Sequence, residues 1–442
     1  MIEICAVGGH SVIGRNMTAV KYKDEVILLD MGIHLDNYIR YTEDDDVEIE
    51  KLTAEELIEV GAIPDISVID AWKDKVKAII PTHAHLDHLG AIPFLGNYFD
   101  CPVICSGYSA AVLKEILKDH KITIKNKIQS MNNNGFYQIS KNIKIEFINV
   151  THSTPDTVMI AVHTPEGTVL YCNDFKFDNA PTLGEKPNFD KLKKLKNVKV
   201  LIIDSLYADR KGKTPSESVA RELLKDVMLG LNAKKNAMIV STFSSHLARL
   251  KSIVAFGKKL NRKIVFLGRS LAKYTYAGED IGIVKFSNDA EIVKYSSKVK
   301  KKLSKIEKEG RHKYLLVVTG HQGEPNSVLS KMVYKKYFKF KQDDVVIFSC
   351  TIIPDEINRL NREKLEAELE SDGVRIFRDV HVSGHASRED HRDLINLVKP
   401  KNIIPAHADV PKSEAMKTLC KEMGYNEKNI FIMKEGDFLK ID

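Results

Sequence analysis

Residues 81–90 read Pro-Thr-His-Ala-His-Leu-Asp-His-Leu-Gly and place His83, His85, Asp87 and His88 within six positions. They follow the apolar run Val76–Ile80, which has the length and composition of a buried strand. A strand ending there and a helix starting near Leu86 turn four metal-binding side chains into one pocket. Neutral imidazole and carboxylate are the natural donors for zinc-like divalent ions. The spacing suits two adjacent ions, with His83 and His85 on one and Asp87 and His88 on the other. A random surface loop rarely carries such a spacing, so the chain is expected to fold around this pocket.

Composition sets wide bounds. A chain of 442 residues with 43% hydrophobic and 29% charged content holds two or three ordinary globular domains. No apolar run approaches the roughly 18 residues of a membrane span, so no membrane partner is expected. The start, Met-Ile-Glu-Ile-Cys-Ala-Val-Gly-Gly, reads as a first strand and not as a signal peptide. Six cysteines at 5, 101, 105, 172, 350 and 420 form no disulfide framework. Cys101 and Cys105 lie close together but lack a second pair, which favours buried thiols over a metal knuckle. A cytoplasmic protein is expected. The net charge of +7 is matched by one segment, because Lys294–Lys313 holds nine Lys or Arg against Glu307 and Glu309. That segment suits a polyanion, or equally a solvated, ion-paired helical face.

Along the chain, residues 1–205 read as strands with few helices. Ile2–Val7, Thr18–Tyr22 and Val26–Asp30 form a meander, the acidic Glu43–Glu50 and helical Ala54–Val60 a surface excursion, and Ser109–His120 a helix. Ile143–Val150, Thr157–His163, Thr168–Cys172 and Val198–Ile203 complete the strands. From 206 the rhythm alternates short apolar strands with helices, among them a helix Pro354–Glu370, which argues a parallel sheet with helices on both faces. Ligand loops of such sheets lie at the strands' carboxyl ends. Those ends carry Ser241-Thr242-Phe243-Ser244-Ser245-His246, Gly268-Arg269-Ser270, Thr319-Gly320-His321-Gln322-Gly323-Glu324-Pro325 and Ser349-Cys350-Thr351. Each could be a plain turn; four together suggest a phosphate or sugar-phosphate path. After 380, His381-Val382-Ser383-Gly384-His385-Ala386-Ser387 and His407 return to metal-site residue types.

The HxHxDH run resembles that of the metallo-β-lactamase superfamily, whose fold brings further ligands to later strand ends. His152 after Ile143–Val150, Asp174 after Thr168–Cys172 and His407 after Asn402–Pro405 occupy such places. The resemblance implies that His83, His85 and His152 hold one ion, Asp87, His88 and His407 the other, and that Asp174 bridges them. Asp30, after Val26–Leu29, resembles the carboxylate that orients the ligands from behind. If His407 completes the site, the first domain is split, with residues 1–205 and 376–442 forming a metallo-β-lactamase αββα sandwich. Residues 206–375 are then an inserted α/β domain of parallel-sheet type.

This arrangement resembles the β-CASP branch, whose members hydrolyse nucleic-acid phosphodiesters, and Asp204, His385 and His407 match its marker positions. Within the branch, HVSGHAS at 381–387, TGHQGEP at 319–325 and PAHAD at 405–409 resemble the ribonuclease J family in its compact, archaeal form. With the sequence ending at Asp442, the C-terminal domain of bacterial members is expected to be missing, as is the N-terminal extension of another archaeal branch. The resemblance implies a 5′→3′ exonuclease on single-stranded RNA with a 5′ monophosphate, and allows a homodimer. Its cofactors would be two divalent ions, zinc or manganese, about 3.5–4 Å apart, activating a hydroxide. Asp87 would orient the nucleophile, and His385, helped by Asp204, would protonate the leaving oxygen or else bind phosphate. The loop His381, Val382, Ser383, Gly384 and His385, with Ser387, would grip the terminal nucleotide, and glycine is expected there for a sharp bend. Ser244, His246, Arg249, Arg269 and Ser349 are supporting contacts. Other readings stay open: an endoribonuclease, a small-molecule metallo-hydrolase, or a non-catalytic RNA-binding protein.

Overall fold

The computed structural model describes residues 1–42, 49–352 and 356–441. The acidic excursion at 43–48 and Pro354 lie outside the described residues. The chain forms two compact units, one of Met1–Asn179, Gly184–Thr214 and Gly384–Asp442, the other of Ala180–Leu183 and Pro215–Ser383.

The first unit is built on two sheets. One runs in the order Phe438–Ile441, Ile2–Gly8, Met17–Tyr22, Glu25–Leu29, Val76–Ile80, Val103–Cys105 and Ile128–Ser130. The other runs Asn402–Ala406, Val198–Asp204, Gly167–Cys172, Val158–Thr164, Lys144–Asn149 and Phe136–Gln138. Period-2 alternation explains how they stack. Val169 and Tyr171 join Val200 and Ile202 in the core shared with Ile27, Leu29 and Ile80 of the first sheet. Their neighbours Leu170, Cys172, Leu201 and Ile203 face the other way, onto Leu394, Ile395, Met416 and Leu419 of the helices Arg388–Val398 and Val410–Glu422. Both faces are covered, so these strands are apolar throughout. Fully burying one such side chain contributes about 1.5–3 kcal/mol. The outcome is an αββα sandwich.

Two of its pairings matter for function. Val198–Asp204 pairs in parallel with both Gly167–Cys172 and Asn402–Ala406. The loops after Cys172, Asp204 and Ala406 therefore leave neighbouring strands at one edge.

The second unit is a parallel sheet in the order Ala290–Val293, Lys263–Leu267, Tyr314–Val318, Met238–Ser241, Val345–Phe348 and Arg375–Phe377. Its core holds Ile239, Val265, Leu267, Leu316, Val318, Val346 and Phe348 against Leu303, Ile306, Leu365 and Leu369 of the helices Ser296–Glu309 and Glu356–Ser371. The strand order reverses between Tyr314–Val318 and Met238–Ser241, where open α/β sheets form their ligand crevice. Among the described residues no helix is long and apolar enough to cross a membrane. All six cysteines are free and buried.

Candidate metal centre

Strand Val76–Ile80 delivers the chain into the centre, and the short helix Leu86–Leu89 carries it away. Within the first unit, His83, His85, His152 and Asp174 each offer a ligand atom, all within 4.8 Å of one another; so do Asp87, His88, Asp174 and His407. Asp174 belongs to both groups. A third group of the same kind joins Asp174 to Asp204 and His385.

Four of the imidazoles are held through one nitrogen and present the other to the centre. His152 Nδ1 donates to the Gly384 carbonyl at 2.7 Å, which turns Nε2 toward Asp174 Oδ2 at 3.4 Å. His88 Nδ1 donates to Asp30 Oδ2 at 2.8 Å, and its Nε2 lies 3.3 Å from Asp174 Oδ2. His83 Nδ1 meets the Thr82 hydroxyl at 3.0 Å, and its Nε2 stands 3.0 Å from His85 Nδ1. His407 Nδ1 meets the Asn16 side-chain oxygen at 3.1 Å, and its Nε2 lies 3.7 Å from Asp174 Oδ1. Asp30 is fully buried and also accepts from the Thr82 amide at 2.7 Å and the Tyr171 hydroxyl at 2.9 Å. Such contacts fix the tautomer of a ligating histidine.

Imidazole nitrogens and carboxylate oxygens converging at these distances suit a divalent cation. Asp174 Oδ1 agrees with this, being a buried carboxylate oxygen with no hydrogen-bond partner among the described residues. Burial, with the neighbouring imidazoles, lowers His83 and His152 well below the usual range and His85 to about 4, leaving them in the neutral, ligating form. Burial works to raise Asp87 and Asp174, but the surrounding histidines hold both carboxyls well below the ordinary value. The chemistry of the donors fits two divalent ions. Asp30, Asp174 and His407 all hold a left-handed backbone, with φ of 59°, 52° and 52°. Non-glycine residues adopt it at a cost that the surrounding structure must sustain.

His385 stands beside the ligands. Its Nδ1 lies 3.0 Å from Asp204 Oδ2 and its Nε2 3.8 Å from Asp174 Oδ2, and its ring stacks on His407 at 5.6 Å. Burial would lower its pKa, but the charges of Asp174, Asp204 and Asp87 prevail and push it up to about 9. Gly384 does not have a positive φ, so the expected sharp bend is not the reason for glycine there. The reason is close approach: a Cβ would meet Ser153 Cβ at 2.8 Å and His152 Cε1 at 2.9 Å.

The remaining expected contacts divide. Ser387 is buried, bonded to the Thr214 hydroxyl at 2.9 Å and to Asp390 through its amide. In the second unit, Arg249 is fully buried, paired with Glu217 at 2.7 and 2.9 Å and donating to Ser349 Oγ at 2.8 Å and the Ser349 carbonyl at 2.9 Å. Its guanidinium also reaches the Val380 carbonyl and His381 Nδ1 at 3.4 and 3.3 Å, and His246 Nε2 lies 3.4 Å from Glu217. Arg249, Ser349, His246 and His381 are thus one internal network. Val382 is buried, Ser383 and Ser244 are half-buried, and Arg269 is exposed. Sequence reasoning passed over Asn16, Thr82, Ser153, Tyr171 and Gly32. Thr82 sits inside the motif and could have been read as a partner. Gly32 is required because a Cβ would fall 1.6 Å from the Asp87 carbonyl oxygen.

Family models match along the chain in three stretches: Metallo-beta-lactamase superfamily at residues 11–203, Ribonuclease J beta-CASP domain at 235–364, and Zn-dependent metallo-hydrolase RNA specificity domain at 374–433. Fold and site together define a metallo-hydrolase of the β-CASP nuclease class. Ribonuclease J of Methanocaldococcus jannaschii is 42% identical over 100% of this chain and 99% of its own, and that of Pyrococcus abyssi 40% over 100% and 97%. Ribonuclease J 1 of Streptococcus pyogenes is 29% identical, with 74% of its length covered. The chain belongs to the ribonuclease J family, of the archaeal type. A crystal structure of an Enterococcus faecalis protein of unknown function shares the fold, with a TM-score of 0.66 at 17% identity over 100% of this chain and 99% of that one.

Proposed function

We propose that the chain is a metal-dependent ribonuclease, a 5′→3′ exonuclease on single-stranded RNA with a 5′ monophosphate, acting in RNA decay or processing. The observation that carries this reading is the hydrogen bond from His152 to the Gly384 carbonyl at 2.7 Å. A loop whose amides, hydroxyl and imidazoles suit a terminal phosphate is thereby tied to a ligand residue, so a gripped end lies a fixed distance from the reacting bond. His83, His85 and His152 would hold one divalent ion, Asp87, His88 and His407 a second, with Asp174 shared. Zinc is the natural occupant of so imidazole-rich a set, and manganese is the competitor. When bound, the pair supplies Lewis acidity and a water acidified toward neutral pH.

The chain's own residues would do the rest. Asp87 orients the attacking water and takes its proton. The water oxygen bonds to phosphorus as the P–O3′ bond breaks, and His385 Nε2 delivers a proton to O3′. Asp204 holds His385 Nδ1–H, fixing the tautomer and the direction of that proton. The released nucleotide keeps its 5′ phosphate. Six free, buried thiols support a cytoplasmic location, and sedimentation of the purified protein tests the homodimer.

End-labelled 5′-monophosphate, 5′-triphosphate and circular RNAs digested side by side test the proposal. The first should yield labelled 5′ mononucleotide fastest. Circular RNA cut as fast as linear 5′-monophosphate RNA would establish an endonuclease instead.

A further inference from the structure

The net charge of the chain equals that of Lys294–Lys313, so the rest sums to zero. The structure puts most of that charge on one surface. Helix Ser296–Glu309 buries Val299, Leu303 and Ile306 and leaves Lys298, Lys300, Lys301, Lys305 and Lys308 exposed. Lys298, Lys301 and Lys308 make no ion pair among the described residues. Lys305 pairs with Glu309 at 3.6 Å one turn on, but Lys301 has no acidic partner among the described residues, and Lys301 and Lys305 are themselves like charges at i,i+4. Such pairs cost helix stability, and a polyanion would remove the cost.

A second observation selects the polyanion. Tyr295 is 51% exposed, with Lys294 and Lys298 Nζ at 5.8 and 5.6 Å from its ring centroid. An exposed ring flanked by cations is what a single strand needs, a platform for one base and neutralisation for its phosphates. Tyr295 follows strand Ala290–Val293 at its carboxyl end. The next strand, Lys263–Leu267, ends at the exposed Arg269, and two strands beyond lies Ser244 after Met238–Ser241. At a strand spacing of about 4.8 Å, this edge spans roughly 15 Å from Ser244 to Tyr295.

We propose that Tyr295 and the lysine face of helix Ser296–Glu309 form an anchoring surface for single-stranded RNA on the second unit. The inference rests on the ribonuclease reading for its choice of polyanion. The surface would hold the part of the strand not yet cut, so long RNA would be captured more readily than short RNA without any change in the bond-breaking step.

The test uses the full chain with 5′-monophosphorylated RNA, a 20-mer and a trinucleotide whose whole length is taken up at the scissile bond. Replacing Lys298, Lys301 and Lys305 by Gln should raise KM for the 20-mer about tenfold, with kcat and the trinucleotide kinetics unchanged. The slope of log KM against log salt should shrink by about 2, at roughly 0.7 per phosphate contact on a single strand. Tyr295→Ala should raise the 20-mer KM with the salt slope unchanged. An unaltered 20-mer KM and slope in the lysine variant, or equal losses on both RNAs, would overturn the surface. A wild-type protein that cuts neither RNA would count against the ribonuclease reading instead. In that event, anisotropy titration of the 20-mer with the same variants judges the surface alone.

Discussion

Replacing Arg249 by Met should destabilise the second unit by about 4 kcal/mol. The side chain is fully buried, and its guanidinium is spent on Glu217, both Ser349 oxygens and the Val380 carbonyl. Met fills much of the same volume, so cavity formation contributes little. What remains is a buried Glu217 carboxylate without its bidentate partner, and breaking such a pair costs about 3–5 kcal/mol. Hydrogen exchange at strands Met238–Ser241 and Val345–Phe348 reads the loss locally, and 4 kcal/mol corresponds to roughly a thousandfold faster exchange. Adding Glu217→Gln removes the stranded charge and should restore about half of the loss, the rest belonging to the Ser349 and Val380 carbonyls. Exchange within tenfold of wild type in Arg249→Met, or no recovery in the double variant, would refute the reasoning. Because Arg249 also holds His381, the variant should lose more ribonuclease activity than its stability explains.

Asp174→Asn should bring metal content from about two equivalents to well below two by elemental analysis, since both ligand groups share that carboxylate. His385→Ala should keep its metal and lose about 10²–10⁴-fold in single-turnover cleavage, the range for a positioned general acid; an unchanged rate and pH profile would make the residue structural. Gly384→Ala should push His152 from its place, so metal affinity and rate should fall together, whereas Gly230→Ala, at an open position with an ordinary backbone, should leave both intact. Burial acts to raise the Glu217 carboxyl, but His246 and Arg249 outweigh it and hold the pKa well below the usual 4.5. The ion pair's stabilisation is therefore complete above that value and is lost as pH falls through the depressed one. Acid denaturation of Arg249→Met/Glu217→Gln should accordingly be shallower than that of wild type.

The clustering of the candidate metal-binding residues was legible because the chemistry is dense. Four of them fall within six residues behind an apolar strand, and His152, Asp174 and His407 each follow another such strand. Strands Gly167–Cys172 and Val198–Asp204 could be read because both of their faces are covered, whereas Phe136–Gln138, at the sheet's edge with Phe136 exposed, gave no such signal. What supports the ligands was not legible. Asn16 lies in an irregular stretch far in sequence from His407, and Tyr171 looks like one more core residue of its strand. Nothing local marks the hydroxyl it turns to Asp30. Arg249 illustrates the opposite error, since a basic residue near a strand's carboxyl end suggests an RNA contact, yet its whole hydrogen-bonding capacity is used inside the protein. Gly384 was singled out for its backbone freedom, whereas the structure requires it for its missing side chain.

The parallel pairing of Val198–Asp204 with Asn402–Ala406 has a consequence for biosynthesis. The strand that carries Asp204 waits some two hundred residues for the neighbour that brings His407, and Gly384 and His385 also come late. A ribosome making this chain therefore completes the HxHxDH loop long before His385 and His407, which both lie in groups with Asp174, are translated. A product of premature termination before His407 lacks one member of the group that includes Asp87, His88 and Asp174.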